Sequence, residues 1–307
     1  MQDKYNTKRL EHIDDELDLL ALFNYLLKGK WIIVFITAFA SIAGIIYSLY
    51  LPNIYQSNAI MVSVETPKGA NGILNSYSSL ASFAGVDVPS QNNDSNSIRA
   101  LEKIRSLSFF KDNILPNIFL PELIALKSWN PDTNSIVYDQ NVYNESTNTW
   151  VNKIPSVQQS HGLFISNHLT IKQHAGTGFV TFSIKHQSPF VAKKWTELVI
   201  TQINSFYAGK DKAEAENAVN YLNTQIIKTS FSEIKQVLAT LLQQEIQKLT
   251  LIEANDSYVF DYIDPPAVME SKISPRRSLI CIISALLGSL LGMLSLIIKY
   301  YFFKIND

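Results

Sequence analysis

Three histidines, His168, His174 and His186, fall within the nineteen residues HLTIKQHAGTGFVTFSIKH. If this stretch is a hairpin, they could share a face, and imidazoles on one face can hold a transition metal. Such a site would need further matched ligands and a supporting hydrogen-bond shell. The sequence offers neither, so surface or internally satisfied histidines are expected, with no metal. Glu214 and Glu216 pair within AEAENA, where a solvated helix face is the simplest reading. Cys281 is the single cysteine and sits inside an apolar run. That is a poor setting for a reactive thiolate, and no intrachain disulfide can form. No GxxxxGKS/T, GxSxG or HExxH signature occurs. No catalytic residue and no cofactor is expected. The 26 lysines and arginines balance the 27 acids, which leaves no basic field for nucleic acid.

One basic constellation stands out. DPPAVMESKISPRRSL, residues 264–279, sets Pro265, Pro266 and Pro275 before Arg276 and Arg277. Paired guanidinium groups can bind phosphate, as in lipid headgroups. The prolines restrict the backbone and refuse helix continuation, so a stiff joint is expected here.

What must position these arginines is a membrane helix. Residues 31–51 and 278–298 contain no charge, and each run has 21 residues. As helices they would span about 31 Å, the thickness of a bilayer core. The first starts too far into the chain, and runs too long, for a cleaved leader. Lys4, Lys8, Arg9, Lys28, Lys30, Lys299 and Lys304 lie in the tails. Short basic flanks favour the cytoplasm, so both termini are expected there and residues 52–277 on the outer side. Arg276 and Arg277 then sit outside, against the usual bias, which suggests a task other than topology. Ala40, Gly44 and Ser48 line one face of the first span, and Ser284, Gly288 and Gly292 one face of the second. Such faces permit close helix packing.

The division that follows is 1–30, a cytoplasmic tail with an amphipathic helix (Leu17, Leu20, Phe23, Leu26 and Leu27 at helical spacing); 31–51, a span; 52–277, an outer α+β domain; 278–298, a span; and 299–307, a cytoplasmic tail. Tyr300 to Phe303 read as an interfacial aromatic belt. In the outer domain, residues 54–64 read as a strand and 70–97 as polar and flexible. Ser97 could cap a helix to about Leu107, with Ile98, Leu101 and Ile104 on one face. Short helical pieces are expected between Pro116, Pro121 and Pro131, then polar loop over 132–160. AGTG reads as the turn of a hairpin.

Ser188 and Pro189 open a helix carrying Val191, Trp195, Leu198, Val199 and Phe206, then Val219, Leu222 and Ile226, with Gly209 a weak point. SFSE, residues 230–233, reads as a capping box for a second helix with Ile234, Leu238, Leu241, Leu242, Leu249 and Ile252. YVFDYID returns as a strand. These two helices are long for so small a sheet, so a projecting helical hairpin is expected. Self-association is the simplest cover for its apolar stripes.

Taken in order, KGKW before the first span, NIYQSNAIMVSV, TGFVTFSIKHQSPFVAKKW and IEANDSYVFDYIDPPAVMESKISPRRSLI resemble the Wzz-type chain-length determinants, the polysaccharide co-polymerases. Relatives usually carry a further proline where this chain has Met269. The resemblance implies an inner-membrane protein of Gram-negative type with a large periplasmic domain. It implies homo-oligomeric rings whose long helices form a bell-like assembly, without catalysis. It implies control of the modal length of a surface glycan, such as O antigen, made by a separate membrane polymerase from lipid-linked polysaccharide. Some relatives carry or recruit a cytoplasmic tyrosine kinase, which the nine residues after the second span do not supply. The rival reading is a transmembrane adaptor for capsule or exopolysaccharide export, or for kinase activation.

Overall fold

The computed structural model describes residue 24 and residues 26–64, 94–174, 176–255 and 257–306. The expected amphipathic helix before residue 24 and most of the polar 70–97 segment lie outside them. The chain divides into two units, residues 1–52 with 275–307, and residues 53–274.

The first unit is an antiparallel helix pair, α1 (Lys30–Tyr50) and a helix over Arg277–Asn306, labelled α6 below. Both are apolar and long enough to cross a membrane. Their outward faces are apolar and exposed, with Val34, Phe35, Phe39, Ile42, Leu286 and Leu290 among them, a surface suited to lipid. The C-terminal segment after residue 298, expected as a separate tail, continues α6 as helix to Asn306, since KYYFFKIN contains no proline or glycine to stop it.

The second unit is built on a four-stranded antiparallel sheet. β1 (Tyr55–Ser63) is central, and the order across the sheet is Leu169–Gln173, Val180–His186, β1, Phe260–Asp264. Along β1 the buried positions are Ser57, Ala59 and Met61. This period of two marks a strand with one face on the core. Further elements, in chain order, include α2 (Asp94–Arg105), a short helix Leu120–Ile124, β2 (Leu126–Asn130), β3 (Ser135–Tyr138), β4 (Tyr143–Asn144), β5 (Thr149–Trp150), α3 (Val157–Leu163), β6 (Leu169–Gln173), β7 (Val180–His186), α4 (Pro189–Lys228), α5 (Ser232–Ala254) and β8 (Phe260–Asp264). β6 and β7 form the hairpin read from AGTG, and Gly176 and Gly178 take φ of +99° and +71° in its turn. Only glycine holds such angles without strain.

Several expectations are corrected. α2 starts at Asp94, before Ser97, so Ser97 is not its cap; Ser97 is buried, and Ile98 is exposed while Leu101 and Ile104 face the core. Short helical pieces occur at Leu115–Asn117 and Leu120–Ile124, but residues 126–130 form a strand, and 132–160 is loop broken by short strands and the start of a helix. β2 pairs with β3 and β4 with β5, around a small core of Ala125, Tyr138 and Tyr143. Their polar turns hid short strands whose inward residues are aromatic. The hairpin tip has no capping box: α5 begins at Ser232, with Phe231 at the cap position and no side-chain cap bond. Gly209 does not interrupt α4, which is continuous for 40 residues, or about 60 Å.

The main core lies between the sheet and the first half of α4. Val191, Trp195, Val199, Ile200 and Ile203 meet Met61, Phe182, Ile184 and Phe260, with Phe109, Phe110, Ile114 and Phe164 closing the side. Beyond Asn204, the buried residues of the helical hairpin are Ala215, Leu222 and Ile252. Past Asn204, α4 packs on α5.

Candidate functional site

The closing segment is fastened across the start of β1. Ser57 Oγ donates to the Ala267 carbonyl at 2.8 Å, and Lys272 Nζ to Asn53 Oδ1 at 2.8 Å. Ile54 and Ser274 form a β-bridge, with Ile54 N–H donating to Ser274 O at 2.9 Å. Pro265 is exposed, whereas Pro266 and Pro275 are buried. Regular structure stops at Asp264, and residues 265–273 run without it, as backbone lacking N–H donors at two successive positions must. Val268, Met269 and Ile273 are exposed along this stretch. Arg276 is exposed and Arg277, half-buried, opens α6.

Within the helix pair, the two small-residue faces meet. A Cβ placed on Gly44 would collide with the Ser284 side chain. On Gly288 it would lie 2.7 Å from Ala40 Cβ and 3.0 Å from the Thr37 Cα, and on Gly292 3.0 Å from the Ile33 Cα. Backbone therefore packs on backbone, which glycine alone permits. Ser48 is buried at the same face, four residues on from Gly44. Gly29 joins this set, because a Cβ there would strike Leu296, itself buried. That contact was not read from the sequence.

The helical hairpin divides its apolar residues. Leu222 is buried, and Ile226, Leu238, Leu242 and Leu249 are half-buried, whereas Ile234 and Leu241 are exposed. Ile227 (84% exposed) and Phe231 (68% exposed) stand at the tip, with Val237 and Ile246 exposed along α5. Lys212 and Glu253 bridge the two helices at 2.9 Å.

The three histidines do not form one cluster. His174 Nε2 lies 2.9 Å from Thr181 Oγ1 at the exposed end of the β6–β7 hairpin. His168, half-buried, and His186, buried, have ring centroids 5.8 Å apart and both lie against Trp195. Burial holds both below the usual histidine pKa, His186 at about 4. Among the described residues no group of His, Cys, Asp or Glu could hold a metal. Glu214 and Glu216 are exposed on α4.

Asn204 was missed by sequence reading. Its side-chain N–H donates to Phe260 O, and its Oδ1 accepts from Val259 and Phe260 N–H, each at 2.9 Å. It thus ties α4 to the start of β8. Two turns further along α4, Tyr258 donates its hydroxyl to Asp211, and burial, with that carboxylate, raises the tyrosine's pKa. The available signal was the column Thr196, Ile200, Asn204: a polar residue at a helical spacing that is otherwise core-facing.

Residues 15–113 match the family model described as Wzz, chain length determinant protein. No curated protein sequence matches the chain. Among solved structures, it is similar to a full-length bacterial polysaccharide co-polymerase, with 15% identity, TM-score 0.41 and coverage of 95% of this chain and 100% of that one. It is also similar to a fragment of WzzB, a polysaccharide co-polymerase from Salmonella Typhimurium, with 14% identity, TM-score 0.33 and coverage of 72% and 100%. A point mutant of a Shigella flexneri lipopolysaccharide O-antigen chain-length regulator gives 13% identity, TM-score 0.25 and coverage of 71% and 99%.

Proposed function

With the Wzz chain length determinant family matched over residues 15–113, we propose that this chain is a non-enzymatic regulator of surface polysaccharide chain length. The family match carries the reading. In it the protein is a polysaccharide co-polymerase of the bacterial inner membrane, with both termini cytoplasmic and residues 52–277 periplasmic. It acts as a homo-oligomeric ring beside a membrane polysaccharide polymerase and its lipid-linked substrate, and the glycan is O antigen of lipopolysaccharide.

Two features support this reading. The apolar residues left open on the helical hairpin, Ile227, Phe231, Ile234, Val237 and Leu241, are what a second copy would cover. The closing segment is fastened to β1 and to the two residues before it through Ala267, Lys272 and Ser274, and Arg276 and Arg277 follow at the start of α6. There they meet phosphate of lipid or glycan carrier, or the polymerase. In this scheme the ring sets chain length by organising the polymerase, and the protein makes or breaks no bond.

Deleting the protein and separating surface glycans on a gel tests the reading. Loss of a preferred length with synthesis intact supports it. An unchanged distribution, or loss of all surface glycan, overturns it. Complementation with Arg276→Ala, Arg277→Ala tests the arginines. A wild-type modal length at normal protein level removes them from the mechanism.

A further inference from the structure

The junction between β7 and α4 is held by an imidazole. His186 ends β7 and is 1% exposed. Its Nδ1 accepts the backbone N–H of Ser188 at 2.9 Å, and its Nε2 lies 3.2 Å from the Glu122 carbonyl. Because Nδ1 accepts, the neutral ring carries its proton on Nε2, which donates to Glu122. Ser188 is the cap residue of α4, its hydroxyl accepting from Val191 N–H. One ring therefore joins three elements: the sheet, the short helix Leu120–Ile124 and the first turn of the longest helix. Only the neutral ring can do this. A proton on Nδ1 turns the acceptor into a donor and sets it against the Ser188 N–H.

The surroundings offer no carboxylate to hold a cation there. His168 faces His186 from the turn before β6, with its Nδ1 donating to the Lys185 carbonyl at 2.7 Å. It is a second imidazole, and its charge would repel. Glu122 approaches through its carbonyl, while its carboxylate interacts with Lys194 of α4 and with Tyr138 of β3. From α4 the ring meets Trp195, with centroids 5.1 Å apart, which is uncharged. Lys185 on β7 contributes its carbonyl to His168.

We propose that His186 is an acid-operated latch: protonation of Nδ1 releases Ser188 and frees the N-terminal turn of α4, together with the Leu120–Ile124 helix, from the sheet. The proton comes from solvent during a transient opening of the junction, and the imidazolium cannot re-form the closed contact. Since α4 continues into the helical hairpin, the latch makes the anchorage of that hairpin dependent on pH.

The sign follows from the ring's lowered pKa. The group ordinarily titrates at 6.5 and here is held at about 4 by desolvation. The junction is fully latched above 6.5 and loses stability as pH falls below it. Between those two values the opened population rises by up to about tenfold per pH unit, about two orders of magnitude in all.

The test uses the full chain in detergent micelles or nanodiscs. Protease cleavage near residues 186–192 and tryptophan emission are followed from pH 8 to pH 4. Wild type should show a reversible acid transition with cleavage at the junction. His186→Gln, whose amide oxygen can accept from Ser188 without titrating, should lack it. His168→Gln removes the neighbouring charge and should move the wild-type transition to higher pH. A wild-type junction that stays closed to pH 4, or a His186→Gln variant with the wild-type transition, overturns the proposal. Should His186→Gln fail to fold, the wild-type and His168→Gln profiles decide it: no transition, or one left unshifted by His168→Gln, counts against the latch.

Discussion

Replacing Asn204 with alanine would remove three hydrogen bonds at once. Each is 2.9 Å long, and together they satisfy the Val259 N–H, the Phe260 N–H and the Phe260 carbonyl in a buried setting. Alanine cannot replace them, and water has no ready access, because Asn204 is 7% exposed and Phe260 fully buried. An unsatisfied buried polar group costs about 1–3 kcal/mol. Three of them, with some relaxation, give a loss of about 3–5 kcal/mol. Against a typical total of about 5–15 kcal/mol this is severe. Urea unfolding of the purified full chain, followed by tryptophan emission, measures it. Hydrogen exchange should localise the effect, with the amides of Val259 and Phe260 losing protection before those of β1 and β7. The reasoning fails if Asn204→Ala stays within about 0.5 kcal/mol of wild type or if those two amides keep their protection.

Further outcomes follow from the same geometry. Gly288→Leu forces α6 off the Thr37 backbone of α1 and should cost about 1–3 kcal/mol of helix pairing, visible as a lower thermal midpoint of the detergent-solubilised chain. Gly209→Ala meets open space inside a continuous helix and should stabilise by up to about 1 kcal/mol, raising the urea midpoint. Trp195→Ala empties the largest fully buried site and should cost about 3–5 kcal/mol in the same assay. Ile234→Asp with Leu241→Asp charges the open face of α5, and light scattering on the detergent-solubilised protein should show a smaller particle.

How far the sequence could be read depended on the range of the forces involved. The two long apolar helices were legible because 21 uncharged residues without a proline favour one unbroken helix. β1, the β6–β7 hairpin and the start of α4 were legible because a period of two, a glycine-rich turn and a Ser–Pro cap are local signals. The small-residue faces could be seen on each span, but which glycine met which residue could not. The β2–β3 and β4–β5 hairpins were read as helix and loop because two- to five-residue strands carry too few residues to show a period. The SFSE box misled because a capping pattern is common and the chain there turns one residue later.

The sequence by itself therefore determined the two long apolar helices and the α+β domain between them. Both rest on composition and near-neighbour periodicity. Only the tertiary structure decided that Asn204 ties α4 to β8, 55 residues or more along the chain, that His186 holds Ser188 and Glu122 together, and that His174 stands apart from the other two histidines. Those pairings depend on which faces of distant elements are buried against one another. A buried polar group takes whatever partner that packing brings within hydrogen-bond reach, and no local pattern records its identity.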